Sequence, residues 1–229
     1  MQKTQSTTRT FDAHAPIAAV VDVSAGRIRF IAADRADITV EVLPADPAKS
    51  RDVKTAEQTT VDCRDGVLRI ETPVKNQYFG PSGAVEVTVQ LPAGSRVEAK
   101  AASAELRGVG RLGDVTFEGA QGTVKLDETA SARLAVQAGD ITVGRLNGSA
   151  EISTRKGDLN VAEAVRGTVT LRAEQGDITV GTARGTSATL DAGTSYGRIH
   201  NSLTNADGPA AGLTIHATTS YGDVTARSL

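Results

Sequence analysis

From about residue 95 onward, apolar and polar residues alternate in short runs, and the runs recur. SARLAVQA, SAEISTRK, GTVTLRAEQ, SATLDAGTS and GLTIHATTS each lie just upstream of a glycine, which opens GDITV, GDLNV, GDITV, GRIHN and GDVTA in turn. The phrase Thr-Ser-Tyr-Gly itself occurs twice, at Thr194–Gly197 and Thr219–Gly222. Alternation with period two marks strands with one buried face, and nothing recurs at the i, i+3, i+4 spacing of a helix.

Aligning the runs gives one unit written seven times, anchored at Val97, Val115, Ala132, Ala150, Val169, Ala188 and Leu213, with separations of 18, 17, 18, 19, 19 and 25 residues. A second strand in each unit supplies Leu106, Val124, Ile141, Leu159, Ile178, Ile199 and Val224. So short a unit cannot bury its own apolar face, and stacked copies can. The predicted fold is all-β: a β-solenoid of about seven 17–25-residue turns, right-handed as parallel crossovers favour, rising about 4.8 Å per turn. Ile141, Leu159 and Ile178 should then form one buried row. The longest step holds Asn201–Gly212, read as a protruding loop.

Residues 1–94 alternate less regularly, in AVVDVS, RIRFIA, DITVEVLPA, TTVDCRDG, VLRIETP and AVEVTVQLP. This part is expected to cap the rod as wider β turns or a small sandwich, with residues 95–229 forming the repeats. Pro47–Gln58 reads as a loop or short helix, and Lys75–Gly83 as a Gly/Pro loop.

Composition agrees with strands filled by small side chains. The chain is 39% hydrophobic, with 23 Gly, 3% aromatic residues and no Trp. A net charge of -2 and the lack of a basic run speak against a nucleic-acid partner. A single cysteine, Cys63, fits a reducing compartment and forms no ligand cluster. The opening MQKTQSTTRTFDAHAP lacks the apolar core of a signal peptide, and no membrane span is visible, so a cytoplasmic location is expected.

SAGRIRFIAADRADITVEV, FGPSGAVEVTVQLPAGSRVEAKAASAELRG and the repeated GD-I/V/L units resemble a bacterial family of β-strand-repeat proteins of unknown function. Its members are sometimes labelled "putative adhesin", and the likeness is closest to actinobacterial ones. The resemblance spans nearly the whole chain. It implies a solenoid-type β fold, no established catalysis and, through the adhesin label, surface exposure.

Four groups of residues invite a functional reading. Asp140, Asp158 and Asp177 follow the turn glycines and would stack into an acidic column, with Arg198 interrupting it before Asp223. Such a column suits a weak cation ladder, or carboxylates that accept neighbouring backbone N–H groups; the latter is favoured, because Asp is a good turn residue. Outward neighbours Lys100 and Glu118, Arg133 and Glu151, Arg172 and Asp191, and Arg155 and Glu174 would neutralise one another. Tyr196 and Tyr221 should stack at a corner, as a closing ladder or a platform for a glycan or partner. His200 and His216 could be neighbours on the last turns, but no metal-binding spacing accompanies them. Finally, the chain stops at Arg227-Ser228-Leu229 right after its last strand, leaving a strand edge there that is expected to pair with another molecule or to be covered by the insertion Asn201–Gly212.

No nucleophile, acid–base pair or cofactor motif emerges. The expected function is that of a non-enzymatic scaffold or interaction module without cofactor. It would self-associate through the C-terminal edge or meet a protein partner with Tyr196, Tyr221, Asp223 and Leu229. The alternatives are a β-helix enzyme or binding module acting on polysaccharide, and a self-assembling, polymer-forming solenoid.

Overall fold

The computed structural model describes residues 7–73 and 83–229. The loop expected at 75–83 therefore lies, except for Gly83, outside the described residues. Seventeen strands among the described residues hydrogen-bond into one sheet, which does not close on itself.

The repeats supply β7 (Arg96–Gln121), β8 (Val124–Ala138), β9 (Ile141–Leu146), β10 (Ala150–Lys156), β11 (Leu159–Ala164), β12 (Gly167–Gln175), β13 (Ile178–Thr182), β14 (Ala188–Tyr196), β15 (Ile199–Ser202), β16 (Leu213–Tyr221) and β17 (Val224–Ser228). All pair in parallel, each strand with its counterpart one coil away. Ile141, Leu159 and Ile178 share one register line and are at most 1% exposed. They form the single buried row that the alternation predicts.

The order of the last coils differs from the sequence expectation. Val169 does not neighbour Ala188, and Leu213 is not outermost. Instead β16 pairs with β12 on one side and β14 on the other, and β17 lies between β13 and β15 in the same way. The final coil is inserted, and β14–β15 forms the end of the stack.

Side-chain polarity explains the insertion. Along one row Val143, Val161, Val180 and Ala226 are buried, and the outermost member is Asn201, which is exposed. A neighbouring row ends in half-buried Thr194, whose hydroxyl donates to Gly222 O at 2.9 Å. In chain order Asn201 would be buried between Val180 and Ala226, at a cost of about 1–3 kcal/mol for an unpartnered polar group. Leu213, Ile215, Ala217, Val224 and Ala226 would meanwhile face water. Inserted, all five are 0% exposed. The coil with the more polar inward row thus becomes the capping coil, as terminal repeats require.

At the other end of the stack, β2 (Ala18–Ala33) runs parallel to β7 in two stretches, from Ala18 opposite Arg96 to Ile31 opposite Val109. Its second edge is shared in parallel by β5 (Val67–Glu71) and β6 (Val85–Pro92). Beyond these the pairing turns antiparallel: β4 (Thr60–Arg64) on β5, and β3 (Asp37–Pro44) on β6, followed by β1 (Thr7–Asp12). Asp65 and Gly66, with φ of 49° and 74°, make the two-residue turn of the β4–β5 hairpin. The segment read as loop or helix contains α1 (Ser50–Gln58). Its buried Asp52 accepts the Ala84 N–H at 3.0 Å, tying the helix to the start of β6.

Corner geometry sets the spacing of the coils. Gly157 has φ +143°, and a Cβ there would lie 2.3 Å from Gly139 O of the coil before it; at Gly176 the same distance to Gly157 O is 1.9 Å. Only a residue without a side chain lets coils approach to hydrogen-bonding distance here. Gly157→Ala should cost about 2–4 kcal/mol in urea unfolding. Gly212→Ala, where a Cβ meets nothing within 4 Å, should change stability by about 0.5 kcal/mol or less.

Candidate functional site

The acidic column is a hydrogen-bond ladder. Asp140 Oδ1 accepts the Asp158 N–H at 2.9 Å, Asp158 Oδ1 accepts that of Asp177 at 2.8 Å, and Asp177 Oδ1 accepts that of Asp223 at 2.8 Å. Asp223 Oδ1 in turn accepts the N–H of Arg198 at 2.8 Å. Arg198 therefore ends the column rather than interrupting it, because its coil is outermost and no further N–H needs an acceptor. Threonine hydroxyls reinforce the same corner: Thr154 donates to Gly139 O at 3.2 Å, and Thr219 to Gly176 O at 3.0 Å. Each carboxylate thus spends one oxygen on the next coil, and among the described residues no cluster of three His, Cys, Asp or Glu could hold a metal ion.

Tyr196 and Tyr221 stack at the corner with centroids 5.0 Å apart and planes 4° from parallel. They are 68% and 55% exposed, and Ile199, the last member of the row Ile141–Leu159–Ile178–Val224, is 45% exposed. Leu190 and Ala192 are half-buried where the matching Ile215 and Ala217 one coil inward are fully buried. Among the described residues the strands paired on one side only at this end are β14 and β15, whereas β17 is paired on both sides. Leu229 sits inside the stack order, its N–H donating to Thr182 O at 3.2 Å, although its side chain is 50% exposed.

Parallel ladders with Gly-Asp corners recur throughout residues 105–227, and this same segment matches the Toastrack DUF4097 family. The chain belongs to the Toastrack DUF4097 family. The Toastrack domain has a β-solenoid-like fold. A crystal structure of a "putative adhesin" from Bacteroides fragilis is similar with a TM-score of 0.59 at 14% identity, covering 97% of each chain. A "putative lipid binding protein" from Parabacteroides distasonis is similar with a TM-score of 0.50 at 12% identity, again over 97% of each. At these identities the likeness is one of fold. No curated protein matches the chain.

The outward faces of this Toastrack chain carry compensated charge. Lys100 lies 3.8 Å from Glu118, Arg133 3.8 Å from Glu151, and Arg155 3.3 Å from Glu174, as the register predicts. The expected pair Arg172–Asp191 does not form, because β16 separates the two strands. Arg172 turns to Glu151 at 3.4 Å, and Asp191 meets His216 at 3.3 Å. His200 pairs in register with Thr225 and His216 with Asp191, so the two histidines are not register neighbours. These exposed pairs are worth little individually. An open groove of about 650 Å³ crosses the early coils, lined in part by Lys100, Ala102, Glu118, Ala120 and Arg155.

Cys63 is half-buried on β4; burial, helped by the Asp62 carboxylate, pushes its thiol above the usual range. Its place near Phe11 and Ile38 suits a small apolar residue rather than a nucleophile.

Two outcomes follow from these sites. Asp158→Ala should lower stability by about 1 kcal/mol through the lost acceptor, Asp158→Asn should recover most of it through its amide oxygen, and millimolar Ca²⁺ should leave the thermal midpoint of the wild-type protein unchanged. Cys63 should react with iodoacetamide at neutral pH more slowly than a free thiol, measured by mass spectrometry.

Proposed function

We propose that this protein is a non-catalytic interaction scaffold acting in the cytoplasm, and that its outermost coil is the contacting surface. One observation carries the reading: three of the large apolar side chains most exposed among the described residues, Tyr196, Ile199 and Tyr221, lie on the last two coils of the stack. Among the described residues β14 and β15 of the outermost coil each pair with a strand on one side only, and beyond Ala188, whose N–H donates to Thr204 O at 3.2 Å, that edge can take another strand by main-chain hydrogen bonds. Structural relatives named for adhesion or lipid binding rather than turnover agree with a binding role. In this reading the stack is a right-handed coil of about seven turns, capped by residues 1–94, and copies associate through the β14–β15 edge.

The groove at Lys100, Glu118 and Arg155 favours a second reading, a polysaccharide-binding module. With Lys100 already paired to Glu118, that groove suits a neutral extended ligand.

Light scattering on a size-exclusion column tests the first reading. The intact protein should gain mass as its concentration rises, and Ile199→Asp should keep it monomeric without lowering its thermal midpoint. A protein that stays monomeric at every concentration and retains no partner through this coil would overturn it.

A further inference from the structure

At the end of the stack opposite β14–β15, the two halves of the structure stop at different depths. On the first stretch of β2 the strands added are β5 and then β4, and the buried row Val21–Ile70–Val61 ends there. On the second stretch they are β6, β3 and then β1, and the buried row Phe30–Val89–Val40 gains a fourth member, Arg9. Among the described residues β1 therefore stands one strand, about 4.8 Å, beyond β4, and a notch one strand deep lies beside it. The floor of the notch is the free edge of β4, which pairs with β5 only. Main-chain groups along an antiparallel strand alternate between its partner and its free side. Val61 O is on the free side, where it accepts an N–H of Arg9 Nη1 at 2.5 Å, so the N–H and C=O of Cys63, two residues on, point the same way. The wall of the notch is β1, with Arg9 and Phe11 in inward register positions. An open pocket of about 480 Å³ lies here, its lining including Phe11, Ile17, Ile38 and Cys63, and Phe11 and Cys63 are only half-buried. Arg9 is exposed, and among the described residues its guanidinium makes this one hydrogen bond and no ion pair.

We propose that this notch is a strand-acceptor site for an extended segment of another protein, one that carries an apolar and an acidic residue two positions apart. The spacing follows from the floor. Val61 and Cys63 are two residues apart and face the same side, so an added strand places one side chain over Cys63, against Phe11, and the next over Val61, where Arg9 now reaches. Arg9 there gives up a neutral carbonyl, and a carboxylate on the incoming strand replaces it with a stronger, charge-assisted bond. Main-chain bonds to the β4 edge supply affinity, and these two side chains supply selectivity. The outermost coil of a second copy does not fit the notch. It presents two strands at one level, and β1 already holds the place of the second. The site lies at the other end of the stack from the β14–β15 edge and does not rest on association there.

The probes are two short labelled peptides, Thr-Thr-Val-Thr-Glu-Thr-Thr and the same sequence with Lys in place of Glu. Binding to the full chain is read by fluorescence anisotropy, and cover of the floor by the rate at which iodoacetamide alkylates Cys63. The Glu peptide should bind several-fold more tightly than the Lys peptide and should slow Cys63 alkylation several-fold at saturation. Arg9→Glu should reverse the preference and Arg9→Gln should abolish it. Thr10→Glu, on the opposite face of β1, should leave it in place, and all three variants should keep the thermal midpoint of the wild type. If neither peptide binds at millimolar concentration, if Arg9→Gln keeps the preference, or if bound peptide leaves Cys63 alkylation unchanged, the proposal is wrong. Alkylation that slows as the protein alone is concentrated would assign the notch to a second copy and overturn it as well.

Discussion

Each coil of this protein satisfies its main chain only through its neighbours. Parallel pairing leaves every N–H and C=O of a coil directed along the stack, so a coil alone would hold almost none of its hydrogen bonds. The corner is where this constraint is tightest. Gly139, Gly157, Gly176 and Gly222 lie against carbonyl oxygens of adjacent coils, and the aspartates beside them supply acceptors to the next coil's N–H groups. Steric room, backbone pairing and the carboxylate ladder are one device seen three ways.

The same constraint decides where the stack ends. A coil at the end has one unsatisfied edge and one uncovered apolar row, so the residues there must tolerate water. Asn201, Thr194 and Arg198 make β14–β15 suited to that position, whereas the apolar inward row of β16–β17 is not. Position in the chain yields to polarity, and a connection of unusual length makes the rearrangement possible. The surface left at this end, with Tyr196 stacked on Tyr221 and Ile199 half uncovered, is also the one most suited to meeting another molecule.

Much of the fold was legible in the repeats. Period-two alternation located the strands, and the spacing of anchors from Val115 to Val169 matched the register pair by pair. The stacked tyrosines and three of the four charge pairs followed from it. The order of the last coils was harder to see, because near-identical units such as TSYGRIH and TSYGDVT fit one another's neighbours almost equally well. A signal was present in two residues. Asn201 stands where the four coils beneath it have Val143, Val161, Val180 and Ala226, and the aspartate column reads without a break only if Asp223 follows Asp177 directly. The antiparallel strands before residue 94 were invisible for another reason: alternation reports which face is buried but not the direction of the partner strand.

The inserted final coil also changes how the molecule would respond to tension. Pulling on Leu229 would draw out an interior layer rather than peel an outer one, shearing two ladders at once and removing the support beneath the outermost coil. Load applied at that terminus is therefore resisted by twice the main-chain bonding of a terminal coil, and when it fails the break opens in the body of the stack.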